Sequence, residues 1–250
     1  MTPEINRAFE SIKKECGSGS IERVERMLDP RKQERHPMQK QAKWIMPGIS
    51  RKAWHDPYVY PEMAPIIQAL ESKHLDIKSE FERAWVSAPA SFGNYEHYLV
   101  TRKDWKALYV FRKGRLVPQT ARFVPVTYGI VDELAVRSGT LCPLLESHFS
   151  TLLPRATIPP HSDLWNFSIN LHFAIDIPQG CSIRVGGEER TWQEGKCMLF
   201  DYSFVHEAYN RSDRPRTCLL LDLWHPEVTL PERKALTVMV REIRKMMGED

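Results

Sequence analysis

The sequence predicts a mainly β fold with flanking helices, closed into a jelly roll or barrel. Three observations carry that prediction. Phe167, Ile169, Leu171, Phe173 and Ile175 alternate with Ser168, Asn170, His172, Ala174 and Asp176, the period-two pattern of a strand. Between residues 181 and 223, short apolar segments are separated by turn residues. Apolar residues at helical spacing flank this run on both sides. A series of short antiparallel strands hides its edges by closing on itself.

The elements follow in order. Residues 1–43 are polar and charged and read as an N-terminal arm, ahead of a domain spanning 44–250. Within the arm, Pro3–Cys16 and residues 21–28 form short helices. Residues 29–37 read as a solvated linker, and the basic residues of 31–43 as a surface that could dock an acidic carrier domain. Met63, Ile66, Ile67, Leu70, Ile77, Phe81 and Trp85 follow three- and four-residue steps, predicting one amphipathic helix. Residues 111–116 form a hairpin turn between two short strands. Residues 123–134 are helical, with Gly129 as a weak point. Gly186-Gly187 joins strands at 182–185 and 190–192 in a tight hairpin. Glu194-Gly195-Lys196 turns into a strand over Cys197–Phe200, and 216–223 is a further strand. Leu236, Met239, Val240, Ile243 and Met247 mark a closing helix over 229–247.

Composition narrows the function. The 250 residues are 42% hydrophobic and 27% charged, as in soluble globular domains. No apolar run approaches the ~20 residues of a membrane helix. The net charge of +3 is too balanced to point to nucleic acid. The five cysteines are scattered without a C-x-x-C, so neither a disulfide framework nor a zinc-thiolate site is expected. The first residues carry no apolar leader, and a cytoplasmic setting fits.

One constellation carries chemistry. Non-haem iron enzymes hold Fe(II) with two histidines and a carboxylate on one face, leaving the other open. The sequence form is H-x-D and a later His. H-x-D occurs twice here. His74-Leu75-Asp76 lies in the helical pattern, where i and i+2 diverge. His161-Ser162-Asp163 follows Ile158-Pro159-Pro160 into the strand region, where i and i+2 point the same way. His206 begins a late strand. Ten residues on, Arg216 offers a planar guanidinium for bidentate binding of a carboxylate. Together they point to iron and the dicarboxylate 2-oxoglutarate. Two readings compete: another metal-dependent enzyme of similar fold without 2-oxoglutarate, and a non-catalytic metal- or ligand-binding module. The first does not need Arg216, and the intact triad with Arg216 counts against the second.

The segments Ile158-Pro159-Pro160-His161, Asn166, Leu171-His172, Trp192-Gln193-Glu194-Gly195-Lys196, 200–207 and Asp222-Leu223-Trp224-His225-Pro226 resemble the aspartyl/asparaginyl β-hydroxylase family. The resemblance covers roughly 44–228. It implies a double-stranded β-helix of cupin-like type, with Fe(II), 2-oxoglutarate and O2 as cofactor and co-substrates. It also implies His161 and His206 as iron ligands, and Ser150, Arg216 and His172 about the 2-oxoglutarate. Some relatives carry glycine where this chain has Asp163; the carboxylate completes a triad and argues against a halogenase. Aspartyl-hydroxylating members carry arginines where this chain has Ser168 and Asn170. The expected substrate is therefore small and amino-acid-like, a peptide or a carrier-tethered group, and not a plain aspartyl residue, unless Arg184 replaces the lost cations. Trp165 and Tyr202, beside the ligands, are further substrate candidates. A member of this length without a leader is expected to be a bacterial tailoring or metabolic enzyme.

Overall fold

The computed structural model describes residues 1–29, 31, 35–39, 41–95 and 103–248. Helix α1 (Pro3–Cys16) starts where the Thr2 hydroxyl accepts the Ile5 N–H and Pro3 takes the first turn. It ends at Gly17, whose φ of 104° suits glycine. Its buried stripe of Ile5, Phe9 and Ile12 joins Ile21 and the Val24 and Met27 of α2 (Glu22–Met27). These side chains pack with Leu236, Met239 and Val240. One face of the first 28 residues is therefore part of the core. Of the expected linker and docking arm, Pro30, 32–34 and Lys40 lie outside the described residues. Of the rest, Arg31, Arg35, Pro37, Gln41 and Lys43 are exposed, as a solvated stretch requires, but the segment is tied to the domain at two points. Gln39 is buried, and the Val205 N–H donates to the Met38 carbonyl at 2.6 Å.

Strand β1 (Trp54–His55) precedes two helices, α3 (Ala64–Ser72) and α4 (His74–Ser87). One helix was expected there. The helix breaks at Lys73, and no side chain between Leu70 and Ile77 is fully buried. Next come β2 (Gly93–Asn94), the eight-residue β3 (Trp105–Arg112) and β4 (Arg115–Leu116). The expected hairpin forms, with positive φ at both Lys113 and Gly114. Helix α5 (Pro125–Ile130) widens straight after Gly129–Ile130 into a π-helical turn at Val131–Val136.

The remaining strands are β5 (Ser147–Leu152), β6 (Thr157–His161), β7 (Ser168–Asp176), β8 (Cys181–Val185), β9 (Glu188–Arg190), β10 (Cys197–Phe200), β11 (His206–Asn210) and β12 (Arg216–Trp224). The Gly186-Gly187 hairpin pairs Val185 with Glu188, so its second strand starts two residues earlier than expected. Gly186 is required there: a Cβ would meet that of Ala53 at 2.6 Å. Helix α6 (Leu230–Met247) closes the fold behind a capping box of Thr229 and Glu232.

The described strands form two antiparallel sheets. One runs β1-β10-β7-β12-β5-β3-β2 with β4 beside β3; the other runs β6-β11-β8-β9. They make a double-stranded β-helix with helices outside. The outward side chains of β7, Ile169, Leu171, Phe173 and Ile175, pack with α3, α4 and α5 in one apolar cluster. Its inward face is Ser168, Asn170, His172 and Ala174, also buried. The alternation in the sequence thus marks a polar interior rather than a solvated face. No described helix is long and apolar enough to cross a membrane.

Phe9→Ala tests the packing of α1. Emptying a buried phenylalanine site costs about 3–5 kcal/mol. Urea denaturation should show a loss of that size, where a solvated arm would show less than about 0.5 kcal/mol.

Candidate metal centre

His161 ends β6, His206 starts β11, and the two are direct cross-strand partners. The register slips next to them: Ala208 pairs with Ile158, so β6 carries an extra residue. The extra residue falls at Pro159-Pro160, where neither nitrogen can donate to a ladder. Such a bulge bends the strand and re-aims the side chain beside it. The two imidazoles end with centroids 4.1 Å apart.

The local backbone fixes both rings. His161 Nδ1 lies 2.8 Å from the Pro159 carbonyl, and His206 Nδ1 lies 2.9 Å from the Phe204 carbonyl. A carbonyl only accepts, so each Nδ1 carries its proton and Nε2 is the atom that could ligate a metal. Asp163 Oδ2 lies 3.6 Å from His206 Nε2. One ligand atom from each of the three lies within 4.8 Å of the others. The strand ends at His161, so strand alternation does not aim Asp163. Its N–H donates to the Tyr202 carbonyl at 2.9 Å, which ties the Asp163 loop to the loop before His206. His74 and Asp76 sit away on α4.

The donor set fits a divalent ion. Burial lowers the His161 pKa, keeping the imidazole neutral, and pushes the Asp163 carboxyl up to about 7. No lysine or arginine among the described residues pairs with Asp163. A cation there would relieve that penalty.

The ligands border a cavity of about 820 Å³. Arg216, Ser150 and His172 line it too. The Arg216 guanidinium lies over the Trp192 ring at 4.6 Å and is 1% exposed. Among the described residues no carboxylate pairs with it, and its Nε has no partner. The Ser150 oxygen accepts from Trp105 Nε1 at 2.7 Å, leaving its O–H to donate. His172 Nδ1 accepts from Trp192 Nε1 at 3.2 Å. Burial, with Arg216 beside it, lowers the His172 pKa.

The substrate candidates divide. Asn170 and Tyr202 line the cavity; Trp165 and Ser168 do not. Trp165 stacks on Trp44 and Phe167, and its N–H donates to the Ser168 oxygen at 2.7 Å. Ser168 in turn bonds the Tyr202 hydroxyl at 2.5 Å. Arg184 is also absent from the lining: it pairs with Glu189 and Glu207 outside. Sequence reasoning passed over Asp222, Glu146 and His148, which do line it. Period two was the available signal: Asp222 shares a face of β12 with Arg216, as His148 does of β5 with Ser150.

This double-stranded β-helix gathers two histidines and a carboxylate beside its cavity, a donor set that could hold a single metal ion. The chain belongs to the aspartyl/asparaginyl β-hydroxylase family, whose model matches residues 71–226. Human aspartate beta-hydroxylase domain-containing protein 2 is 37% identical over 136 residues, covering 53% of this chain and 37% of that protein. Mouse aspartyl/asparaginyl beta-hydroxylase is 28% identical over 192 residues, covering 76% of this chain and 25% of that protein. The chain thus matches well under half the length of these two relatives. Among solved structures, a predicted oxalate decarboxylase from Thermotoga maritima aligns with a TM-score of 0.31 and 9% identity, over 48% of this chain and 80% of that one.

Asp222 gives a pH prediction. Burial and the nearby Glu146 push its carboxyl up to about 8, against about 3.9 unfolded. The folded protein holds a proton the unfolded chain has lost, so this group's contribution to stability is lost as pH climbs from about 4 to about 8. Relative to Asp222→Asn, the metal-free wild type should lose about 1 kcal/mol or more between pH 5 and pH 8.5. Paired urea titrations read the difference, in which the buried histidines, which act oppositely, cancel. A constant difference would contradict the raised pKa.

Proposed function

We propose that the chain is an Fe(II)- and 2-oxoglutarate-dependent oxygenase that hydroxylates an unactivated C–H bond. Its substrate is small and amino-acid-like, a peptide or a carrier-tethered group, and not a plain aspartyl residue. The observation that carries this reading is Arg216, a guanidinium buried on the cavity wall with no carboxylate partner among the described residues. A buried charge of that kind calls for an anion. The far carboxylate of 2-oxoglutarate meets that need, and a metal enzyme without this co-substrate leaves the charge unexplained.

His161, Asp163 and His206 would hold the iron. Bound there, Fe(II) supplies the coupling of O2 reduction to oxidative decarboxylation, giving succinate, CO2 and the hydroxylated product. The chain's own part is orientation. Arg216 pairs with the far carboxylate and the Ser150 O–H donates to it. Trp192 covers the guanidinium and holds His172 in its neutral form. Ile158, Ile183 and Leu220 give that wing of the cavity apolar walls that limit water and strengthen the ion pair. On the substrate side, the Asn170 amide is committed to Asp222 at 2.6 Å. A substrate carboxylate there would face the Glu146 carboxylate and would hold the Asp222 carboxyl still more firmly in its protonated form. Five free cysteines, four of them buried, support a reducing, cytoplasmic setting.

Adding 2-oxoglutarate to the Fe(II)-loaded protein without oxygen should produce the visible charge-transfer band of the chelate. His161→Ala should lose it together with the iron. Arg216→Met should keep the iron and weaken 2-oxoglutarate binding by about 10–100-fold, the value of a charge-assisted pair. Iron binding without a band, or unchanged affinity in Arg216→Met, would overturn the assignment.

A further inference from the structure

The inward face of β12 carries Arg216 at one end and Asp222 at the other. Asp222 is 8% exposed. Each of its oxygens accepts one bond from a neutral donor: Oδ1 from Asn170 Nδ2 at 2.6 Å, Oδ2 from the Glu146 N–H at 3.2 Å. No lysine, arginine or histidine among the described residues pairs with it. Its charged neighbours, Glu146 and Asp163, are themselves acidic and raise its pKa.

A second set of observations sits beside it. Asn170 is the cross-strand partner of Asp222. Its Nδ2 is used, but its Oδ1 is buried without a partner. His148, 2% exposed, has neither ring nitrogen hydrogen-bonded, with Nδ1 3.6 Å from Glu146. Burial lowers its pKa, so it brings no cation. Among the described residues, Arg112 is the one lysine or arginine that pairs with Glu146, at 3.8 Å. All of these residues line the metal cavity. An unmet acceptor next to an uncompensated carboxyl is costly in a folded interior. Both are satisfied by one ligand group that donates several hydrogen bonds and carries positive charge.

Resting on the oxygenase reading above, we infer that the substrate presents a protonated primary amine to Asp222 and Asn170 Oδ1. The ammonium donates to the Asp222 carboxylate and to the orphaned amide oxygen, and the Asp222 proton leaves to solvent as the amine docks. The substrate is then a free amine, such as an amino acid with an unblocked α- or side-chain nitrogen. A backbone-linked residue without a nearby amine lacks the group this wall reads. Lys113 and Arg244 also border the cavity. By simple attraction they favour anions, so a preference for the amine has to come from the Asp222 wall.

The test uses the protein loaded with Fe(II) and 2-oxoglutarate without oxygen. Free L-amino acids, their carboxamides and their N-acetyl forms are titrated in, following both the visible band and the melting temperature. Free amines should bind at least about tenfold tighter than their N-acetyl forms, the value of one charge-assisted hydrogen bond. Asp222→Asn should erase that preference, and Asp222→Glu should keep part of it. N-acetyl forms that bind as well as the amines overturn the inference, as does a preference that survives in Asp222→Asn. If Asp222→Asn does not fold by circular dichroism, the ligand comparison on the wild type decides alone. Failure of the visible band to form would overturn the oxygenase reading instead, and the melting comparison would still decide the amine.

Discussion

The antiparallel pairing of β6 with β11 places His161 across from His206, and the geometry of the centre follows from that register. A slip of one residue in either strand would turn an imidazole to the opposite face. The prolines at 159 and 160 create the bulge beside this pair. The Pro159 carbonyl then accepts a hydrogen bond from the His161 Nδ1–H. The same short motif therefore sets strand register, ring direction and tautomer. Asp163 lies beyond the strand and depends on its backbone bond to Tyr202.

The opposite wall meets a different constraint. Strands β7 and β12 are buried on both faces. Outward, Ile169, Leu171, Phe173, Leu219 and Leu221 belong to one apolar cluster with the helices. Inward, the same strands carry Asn170, His172, Arg216 and Asp222. Burying charge has no stabilising effect of its own, so these residues weaken the fold they sit in. The apolar outer face offsets that cost, since each large side chain removed from water contributes roughly 1.5–3 kcal/mol. Function and stability are thus separated by strand alternation, residue by residue.

That separation explains which features were legible in sequence. The alternation from 167 to 176 gave the central strand and its inward residues, because period two survives burial on both faces. H-x-D and the distal His were legible because metal ligation restricts residue type as well as spacing. Other features were hidden for physical reasons. The break at Lys73 was hidden because the apolar three- and four-residue steps run on across it. Trp165 sits next to a ligand in sequence, yet the stacking of Trp44 and Phe167 turns it out of the cavity. Asn166 stood out only through the family resemblance, yet its side chain bonds both the N–H and the carbonyl of Met46. Those long-range contacts leave no local pattern. Asp222 was hidden because a strand of mostly leucines reads as plain core.

The contacts of Asn166 belong to a larger arrangement. The Lys43 and Trp44 N–H groups donate to the Leu164 carbonyl, within the loop of Asp163. On the other ligand loop, Gln39 donates to Ser203, Val205 donates to Met38, and Asp201 donates to the Ala53 carbonyl. The described residues between Met38 and Ala53 therefore stitch the loop of Asp163 to the loop leading into His206. Upstream, Arg23 holds Glu232 at 2.6 Å and the Glu227 carbonyl, which locks α2 onto the start of α6. A metal with three protein ligands needs them held to within a few tenths of an ångström. Here two of the three depend on backbone bonds made by loops, and loops are the mobile parts of a β fold. The polar N-terminal segment removes that freedom from outside the barrel. Its charged composition disguised a scaffolding role, because several of the bonds it makes to the ligand loops are backbone hydrogen bonds, to which side-chain composition is blind.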